Sequence, residues 1–289
     1  MTKRIASVLL IVVGTGIVFA GEQTKEEFSL RLRLKPGTVF RVKSCMLSAV
    51  KQMVARKNMD MESKTEKEFC LKVMTADDKG AVVEATCNRV ILHSKEQGTE
   101  EISYDSDHPE GEPPENDAEV VALVGKTFLL RIDPMGGVTR KAQADDAEPD
   151  EAVQVLCNMI SGIFKYVPEK PVAIGGKWTR SEDAEGKIRI RGTNTFTFAE
   201  CSGGTLLISL RGTISGKSER SAKAQHEVKG TSEGTMKLDE ETRFPLESTM
   251  KQNMTIHNAV DDIHWTARAQ NLVELSVTIE SVSSATPGR

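Results

Sequence analysis

The stretch "FCLKVMTADDKGAVVEATCNRVIL", residues 69–92, decides the fold of this 289-residue chain. On both sides of "ADDKG", apolar residues alternate with polar ones, the period-two pattern of strands that bury one face. The segment between the two runs is short enough to be a hairpin turn. The stretch therefore predicts two antiparallel strands, and similar alternation along most of the chain predicts a mainly β protein.

The turn of this hairpin decides how two of the cysteines are placed. If Asp78 and Lys79 alone form the loop, Cys70 faces Cys87 and the pair can form a disulfide. If Gly80 takes a left-handed position in a three-residue loop, Cys70 faces Asn88 and the two thiols lie on opposite faces of the hairpin. Both geometries stay open. The odd number of cysteines leaves at least one thiol unpaired in any scheme, and the candidates are Cys45, Cys70, Cys87, Cys157 and Cys201.

Further strands follow from the same alternation. "FSLRLRL" (residues 28–34) predicts a half-buried strand, and a long hairpin follows with its tip near "KNMD" (residues 57–60). "LVGKTFLLRIDPMGGV" (residues 123–138) predicts a strand pair that turns at Asp133-Pro134. By contrast, residues 103–119 are rich in acidic residues, proline and glycine, which predicts a loop that is not buried.

One segment, residues 149–166, has the helical period instead. Its apolar residues fall on one helical face, and acidic residues stand at its start, where the helix dipole favours them. This pattern predicts an amphipathic helix that covers a sheet. The face consists of Ala152, Val153, Val155, Leu156, Met159, Ile160, Ile163 and Phe164.

"YVPEKPVAIGGKW", residues 166–178, is interpreted as the connection between two β-modules. Its prolines keep the chain extended after the helix, and its two glycines turn it into the strand that carries Trp178. The expected organisation is a first β-module (21–166) ending in the helix, a second β-module (167–282) and a frayed tail (283–289). Three pairs of similar stretches occur in the same order in both modules. Duplication explains this, but amphipathic hairpins also resemble one another without it.

Residues 1–20 predict a signal peptide. Lys3 and Arg4 precede about fifteen apolar residues, fewer than the ~20 that a spanning helix needs, and small residues precede a cut after Ala20. A retained anchor is the alternative. Cleavage would remove two basic residues and no acidic one, changing the formal charge from −4 to −6. We therefore expect an exported, periplasmic or extracellular protein with no nucleic-acid partner and no membrane span after cleavage.

Four stretches together carry a family resemblance: "LRLKPGTVFRV", "SYDSD", "LVGKTFLLRIDPMGGV" and "VPEKPVAIGGKW". In this order the chain resembles an uncharacterised family of exported bacterial β-rich proteins, known by a domain-of-unknown-function label. The long strands and single helix are also similar, at the level of the fold, to the half-barrels of periplasmic lipoprotein carriers, in which a curved sheet wraps a helix. The resemblance implies a β-rich fold and brings no catalytic residues.

The sequence contains no common catalytic or phosphate-binding motif, which favours a noncatalytic protein without a cofactor. We expect it to bind a hydrophobic or envelope-associated ligand, such as a lipid, in the concavity of its sheet. The expected lining residues are Met159, Ile160, Ile163, Phe164 and Trp178. Each of these residues is equally explained as ordinary core.

Two other functions stay open at this point. The hairpin at residues 51–67 suits a structural or interaction module that binds an envelope protein. A metal-binding protein would use hard oxygen ligands in the acidic loop, or the methionines of the first hairpin, since thioethers select Cu(I). The loop candidates are Asp105, Asp107, Glu110 and Glu112. The sequence leaves the oligomeric state open.

Overall fold

The computed structural model describes residues 26–54, 56–114, 117–141, 151–184, 189–221, 224–260 and 263–281. The first half of the chain contributes β1 (Glu27–Phe28), β2 (Thr38–Val54), β3 (Lys57–Asn58), β4 (Met61–Asp77), β5 (Gly80–Glu96), β6 (Ile102–Asp105), α1 (Ala118–Val121), β7 (Thr127–Ile132), β8 (Val138–Arg140) and α2 (Glu151–Ile163). The second half contributes β9 (Val172–Ala173), β10 (Lys177–Ala184), β11 (Arg189–Ser202), β12 (Thr205–Ser221), β13 (Ala224–Asp239), β14 (Pro245–Val260) and β15 (Ile263–Ser281). The predicted signal peptide and frayed tail lie outside the described residues.

Thirteen of these strands form one curved antiparallel sheet, which confirms the mainly β fold class. Its strand order is β10-β11-β12-β13-β14-β15-β2-β4-β5-β7-β8, with β3 beside β2 and β6 beside β5. The two halves of the chain meet where β15 pairs with β2, from Ala267–Gln52 to Ser281–Thr38. Both expected modules thus contribute neighbouring strands to one sheet. Their origin by duplication stays a prediction.

One face of the sheet, called the inner face here, packs against α2. On the sheet side it presents Phe40 and Val42 from β2 and Phe69 and Leu71 from β4, all buried. Helix α2 runs from Glu151 to Ile163, inside the predicted limits, and it packs beside β8 and α1. The face of the helix that joins this core consists of Val153, Leu156, Cys157 and Ile160, followed by Phe164 just after its last residue.

The β4–β5 hairpin has the predicted two-residue loop, with Asp77 opposite Gly80, but neither predicted cysteine register. A bulge at Met74 shifts the pairing by one residue, and a second bulge shifts it back beyond Cys87. Cys70 therefore lies opposite Thr86, and Phe69 lies opposite Cys87. The two thiols are on opposite faces of the hairpin, as expected for the three-residue loop, although the loop itself has two residues. All five cysteines are free thiols.

Two other expectations were wrong in detail. "FSLRLRL" forms a strand only at its start. Leu30 and Leu32 are buried, as the alternation requires. The backbone N–H of Leu32, however, donates to the carbonyl of Pro134 in a turn and not to a neighbouring strand. Residues 103–119 are not entirely a loop. They include the last three residues of β6, which pairs with the part of β5 that extends beyond β7. Tyr104 in this segment is buried.

Candidate functional site

A cavity of about 310 Å³ lies between α2 and the inner face of the sheet, and we call it the helix–sheet cavity. Its helix side consists of Met159, Gly162 and Ile163, one above another at helical spacing. Gly162 is solvent-exposed, so it marks an opening of the cavity. The sheet side is mainly apolar and consists of Ser44, Glu182, Asn194, Phe196, Ile208, Leu210, Thr235, Met236, Ser248, Thr249, Met250, Val273 and Leu275.

The cavity exists because α2 lies off-centre on a wide sheet. The most buried helical residues join the core close to β8 and α1, which belong to the first half of the chain. Met159 and Ile163, on the flank of the helix, are only half-buried and face strands of the second half. One cross-strand row of the floor beneath them places two serines among apolar residues and runs Ser44, Leu275, Ser248, Met236, Ile208.

Lys67 lies at the edge of the cavity, next to two of its lining residues. It shares the inner face with Phe69, and the strand register places it directly opposite Ser44, a lining residue. Its Nζ lies 3.9 Å from Sδ of Met159, another lining residue. Burial lowers the pKa of Lys67, and the attraction of Asp117 opposes that shift only from a distance. Within the described part of the chain, Lys67 forms no ion pair with a carboxylate.

Residues at and around the connection between the two expected modules also line the cavity. Lys165 and Glu182, which both line the cavity, form an ion pair of 2.5 Å. Tyr166 donates its hydroxyl to the carbonyl of Arg243, and Trp178 Nε1 donates to the carbonyl of Tyr166 at 2.6 Å. The connection is thus anchored to the sheet by buried hydrogen bonds rather than held as an exposed linker.

A row of polar or small residues crosses the inner face on the side of the cavity away from the buried residues Phe40 and Leu71. Two of its contacts are direct: Ser232 donates to Asn194 at 2.8 Å, and Asn271 donates to Gln252 at 3.3 Å. In sheet order the row is Asn194, Gly212, Ser232, Gln252, Asn271, Ser48, Ser63 and Ser94. The apolar floor therefore ends at a line of hydrogen-bonding groups.

A larger hollow, of about 690 Å³, crosses the middle of β14, β15, β2, β4 and β5. It is open to solvent, and charged residues from several strands line it, among them Glu62, Lys64, Lys95 and Lys251. It offers no apolar enclosure. The helix–sheet cavity is therefore the candidate site for a hydrophobic ligand.

The structure separates the five expected lining residues. Met159 and Ile163 line the cavity, whereas Ile160 and Phe164 are core residues, each 1% exposed. Trp178 does not line the cavity but stacks on a residue that does, Phe196, with ring centroids 5.5 Å apart. Ligand contact by any of them stays a prediction.

Sequence reasoning missed the sheet side of the cavity and Lys67. The lining residues of β12, β13 and β14 lie far from α2 in sequence, so no local pattern assigned them to one site. A signal for Lys67 was present, however. It precedes Phe69 and Leu71 by two and four residues, which places a lysine on the buried face of its strand.

The acidic candidates for a metal site are placed differently from the expectation. Arg89 binds Asp105 through two hydrogen bonds, of 3.0 and 2.5 Å, and reaches Asp107 at 3.3 Å. This pairing lowers the pKa of Asp105 to about 2. Glu110 and Glu112 are exposed. The described ranges contain no group of three or more His, Cys, Asp or Glu side chains arranged to hold a metal ion.

Residues 153–245 match the model of DUF6263, a family of unknown function. The expected resemblance to an uncharacterised family is therefore confirmed for this segment, which runs from α2 to the first residue of β14. No curated protein matches the chain.

Solved structures that align with this chain share little sequence with it. A structure titled for lipid–protein interactions in lipovitellin is 13% identical, with a TM-score of 0.49 over 89% of this chain and 27% of its own. The chain thus spans about a quarter of that protein. An outer membrane channel from Pseudomonas putida F1 is 8% identical, with a TM-score of 0.27 over 86% of this chain and 98% of its own. With identities and scores this low, neither similarity carries an inference about function.

Among the described residues, neither helix combines the length and the apolar character that crossing a membrane requires.

Proposed function

We propose that this protein binds a hydrophobic ligand, noncatalytically, in the helix–sheet cavity. The observation that supports this function most is an apolar space of about 310 Å³ between an amphipathic helix and a sheet. Ligand sites in proteins commonly have volumes of roughly 300–1,000 Å³ and combine apolar walls with a few polar groups. A cavity at the small end of that range suits one alkyl chain or a similarly slender group.

The lining residues suit such a ligand. Methionine contributes three of them, Met159 from the helix and Met236 and Met250 from the sheet. Its side chain is unbranched and flexible, so it adapts to apolar groups of different shape. The exposed glycine at the opening, Gly162, leaves an entry path that any larger side chain would narrow.

The test uses a neutral dye, N-phenylnaphthylamine, whose fluorescence rises in apolar surroundings. We expect the full chain to bind it and Gly162→Leu to bind it at least tenfold more weakly, since leucine would occupy the opening beside Met159 and Ile163. A Cβ at Gly162 meets no atom within 4 Å apart from its chain neighbours and the backbone of its own helix, so the variant has room to fold.

The matched control is Gly162→Ala, which gains the same helix propensity but adds little volume. It should keep the affinity of the wild type. Ile163→Trp, which fills the cavity from the same helix, provides a second blocking variant, and Ile263→Trp places the same residue at an exposed position of β15. Equal dye binding by the wild type and both blocking variants would contradict the proposed function.

A second candidate function is docking of an envelope protein at the end of the β2–β4 hairpin. The observation that favours it is a group of exposed methionines, Met53 at 59%, Met59 at 37% and Met61 at 40%. Exposed apolar groups that lie together often mark interaction surfaces. A photo-crosslinker at Met53 in producing cells should then yield one protein adduct that is absent with the crosslinker at Met74, an exposed residue near the other end of β4. Equal labelling at both positions would contradict docking at the hairpin end.

The proposed setting for either function is outside the cytoplasm, on the strength of the signal-like residues 1–20. Sequencing the N-terminus of the protein from producing cells tests this. A chain that begins at Gly21 supports export with cleavage, and a chain that begins at Met1 in the cytoplasmic fraction contradicts it.

A further inference from the structure

We infer that the ligand of the helix–sheet cavity is a single-chain amphiphile with an anionic head group, and that Lys67 binds this head group. The inference rests on the proposed function and adds the chemical class of the ligand. It follows from the position of one lysine relative to the apolar lining.

Lys67 is on the inner face, not on the solvent face of β4. Ser44, its partner across the strand pair, lines the cavity, and so does Met159, whose sulfur lies 3.9 Å from Nζ. Side chains directly opposite one another on antiparallel strands have Cβ atoms only about 4.5–5.5 Å apart. The ammonium group therefore lies directly behind two lining residues, Ser44 and Met159, at the edge of the cavity.

This ammonium group lacks an acceptor suited to its charge. Its hydrogen-bond contact is a thioether sulfur, which is a weak acceptor. Among the described residues no carboxylate forms an ion pair with it: Asp117 attracts it only from a distance, and most of its other inner-face neighbours are apolar. A partly buried charge without a partner is costly, and a carboxylate or phosphate oxygen arriving with a ligand would remove that cost.

The second lysine at the cavity differs in this respect. Lys165 is paired with Glu182 at 2.5 Å, so its charge is already balanced within the protein. Nearby, Ser44 and Ser248 offer hydroxyl groups on the floor, and in the described structure neither side chain is engaged in a hydrogen bond. An acidic head group placed at Lys67 and Ser44 leaves the apolar floor toward Met236 and Leu210 for the alkyl chain.

The test compares laurate with lauryl alcohol, which share one alkyl chain and differ in head group. Each displaces N-phenylnaphthylamine from the full chain. We expect laurate to bind about tenfold more tightly than lauryl alcohol, because its carboxylate gains one charge-assisted hydrogen bond with Lys67. Lys67→Met should abolish that preference while the affinity for lauryl alcohol is retained, and Lys67→Arg should restore it.

The control is Lys72→Met, which removes the same charge from the opposite face of the same strand and should leave the preference intact. If both ligands bind but Lys67→Met keeps the preference for laurate, or the wild type shows none, the inference is wrong and the proposed function stands. If neither ligand displaces the dye and Gly162→Leu binds the dye like the wild type, both the inference and the proposed function are overturned.

Discussion

Lys67 Nζ lies 3.9 Å from Met159 Sδ, so a strand lysine and a helix methionine meet at the edge of the helix–sheet cavity. The contact joins β4, in the middle of the sheet, to the flank of α2 that faces the second half of the chain. It places a cation that has no ion-pair partner among the described residues beside an apolar lining. The cavity is for this reason asymmetric: the charge of Lys67 at one edge is unbalanced, whereas Lys165 is paired with Glu182.

The first prediction concerns the cost of that cation. Because burial lowers the pKa of Lys67, its charged form is less stable in the folded protein than in water. Lys67→Met keeps the length of the side chain and removes the charge, so the free energy of unfolding at neutral pH should rise by about 1 kcal/mol. Urea denaturation measures it. Lys72→Met, at an exposed position, should change little, and a loss of stability in Lys67→Met would contradict the assignment.

The second prediction concerns the anchor of the connection at residues 166–178. The buried hydroxyl of Tyr166 donates to the carbonyl of Arg243, a residue whose φ of 61° lies in the left-handed region. Tyr166→Phe leaves that carbonyl without its donor and should lower the free energy of unfolding by about 1.5 kcal/mol.

The other tyrosine is a matched control. Tyr104 is also buried, but its hydroxyl has no side-chain partner among the described residues, so Tyr104→Phe should change stability by less than about 0.5 kcal/mol. Thermal or urea unfolding of both variants decides between them. Equal losses would mean that the Tyr166 hydrogen bond adds no stability of its own.

The third prediction concerns the polar row on the inner face. A Cβ added at Gly212 would overlap Asn194 Oδ1, Ser232 Oγ and the carbonyl oxygen of Thr193. Gly212→Ala should therefore lower the free energy of unfolding by about 2 kcal/mol, since the strands must move apart.

Gly192 tests whether this loss is specific to the close approach. It shares the inner face on the neighbouring strand, but a Cβ there meets nothing within 4 Å. Gly192→Ala should be neutral or stabilising by up to about 1 kcal/mol. Similar losses in the two variants would show that Gly212 is not required for packing in the row.

The fourth prediction concerns the Arg89–Asp105 pair. Hydrogen bonding to Arg89 lowers the pKa of Asp105 to about 2 in the folded protein, below its value in an unfolded chain of about 4. The pair therefore stabilises the fold fully above about pH 5, and this stabilisation disappears as the pH falls toward 2.

Asp105→Asn should accordingly cost about 1 kcal/mol at pH 7, because both side chains are partly solvated, and nearly nothing near pH 2. Denaturation of both proteins across this pH range gives the difference. Asp107→Asn, which removes the longer contact of 3.3 Å, should have a smaller effect. A difference that stays constant from pH 7 to pH 2 would contradict the role of the Asp105 carboxylate.

Local periodicity accounts for the parts of the fold that the sequence predicted. Hairpins such as β4–β5 join strands that are adjacent in sequence, and α2 has its apolar residues on one face, so short windows contain the signal. The pairing of β15 with β2 joins residues more than two hundred positions apart. No local pattern encodes such a pairing, so the single sheet and its strand order needed the structure.

The cysteine register shows a different limit. The turn at Asp78 and Lys79 was one of the two predicted loops, but the bulge at Met74 shifted the pairs from Val73–Val83 to Phe69–Cys87 by one residue, and a second bulge then restored the register. A bulge depends on how the strand packs and twists, and Met74 has no local feature that distinguishes it from its neighbours. The site had a similar limit: Met159 and Ile163 follow from helical periodicity, whereas the floor beneath them follows from sheet order.

The most direct test of ligand binding in the helix–sheet cavity is the native mass of the full chain after equilibration with laurate. We expect one bound laurate on the wild type and on Gly162→Ala, and none on Gly162→Leu, because the leucine side chain occupies the opening of the cavity. Equal laurate occupancy on all three proteins, or none on the wild type, would contradict ligand binding in the cavity.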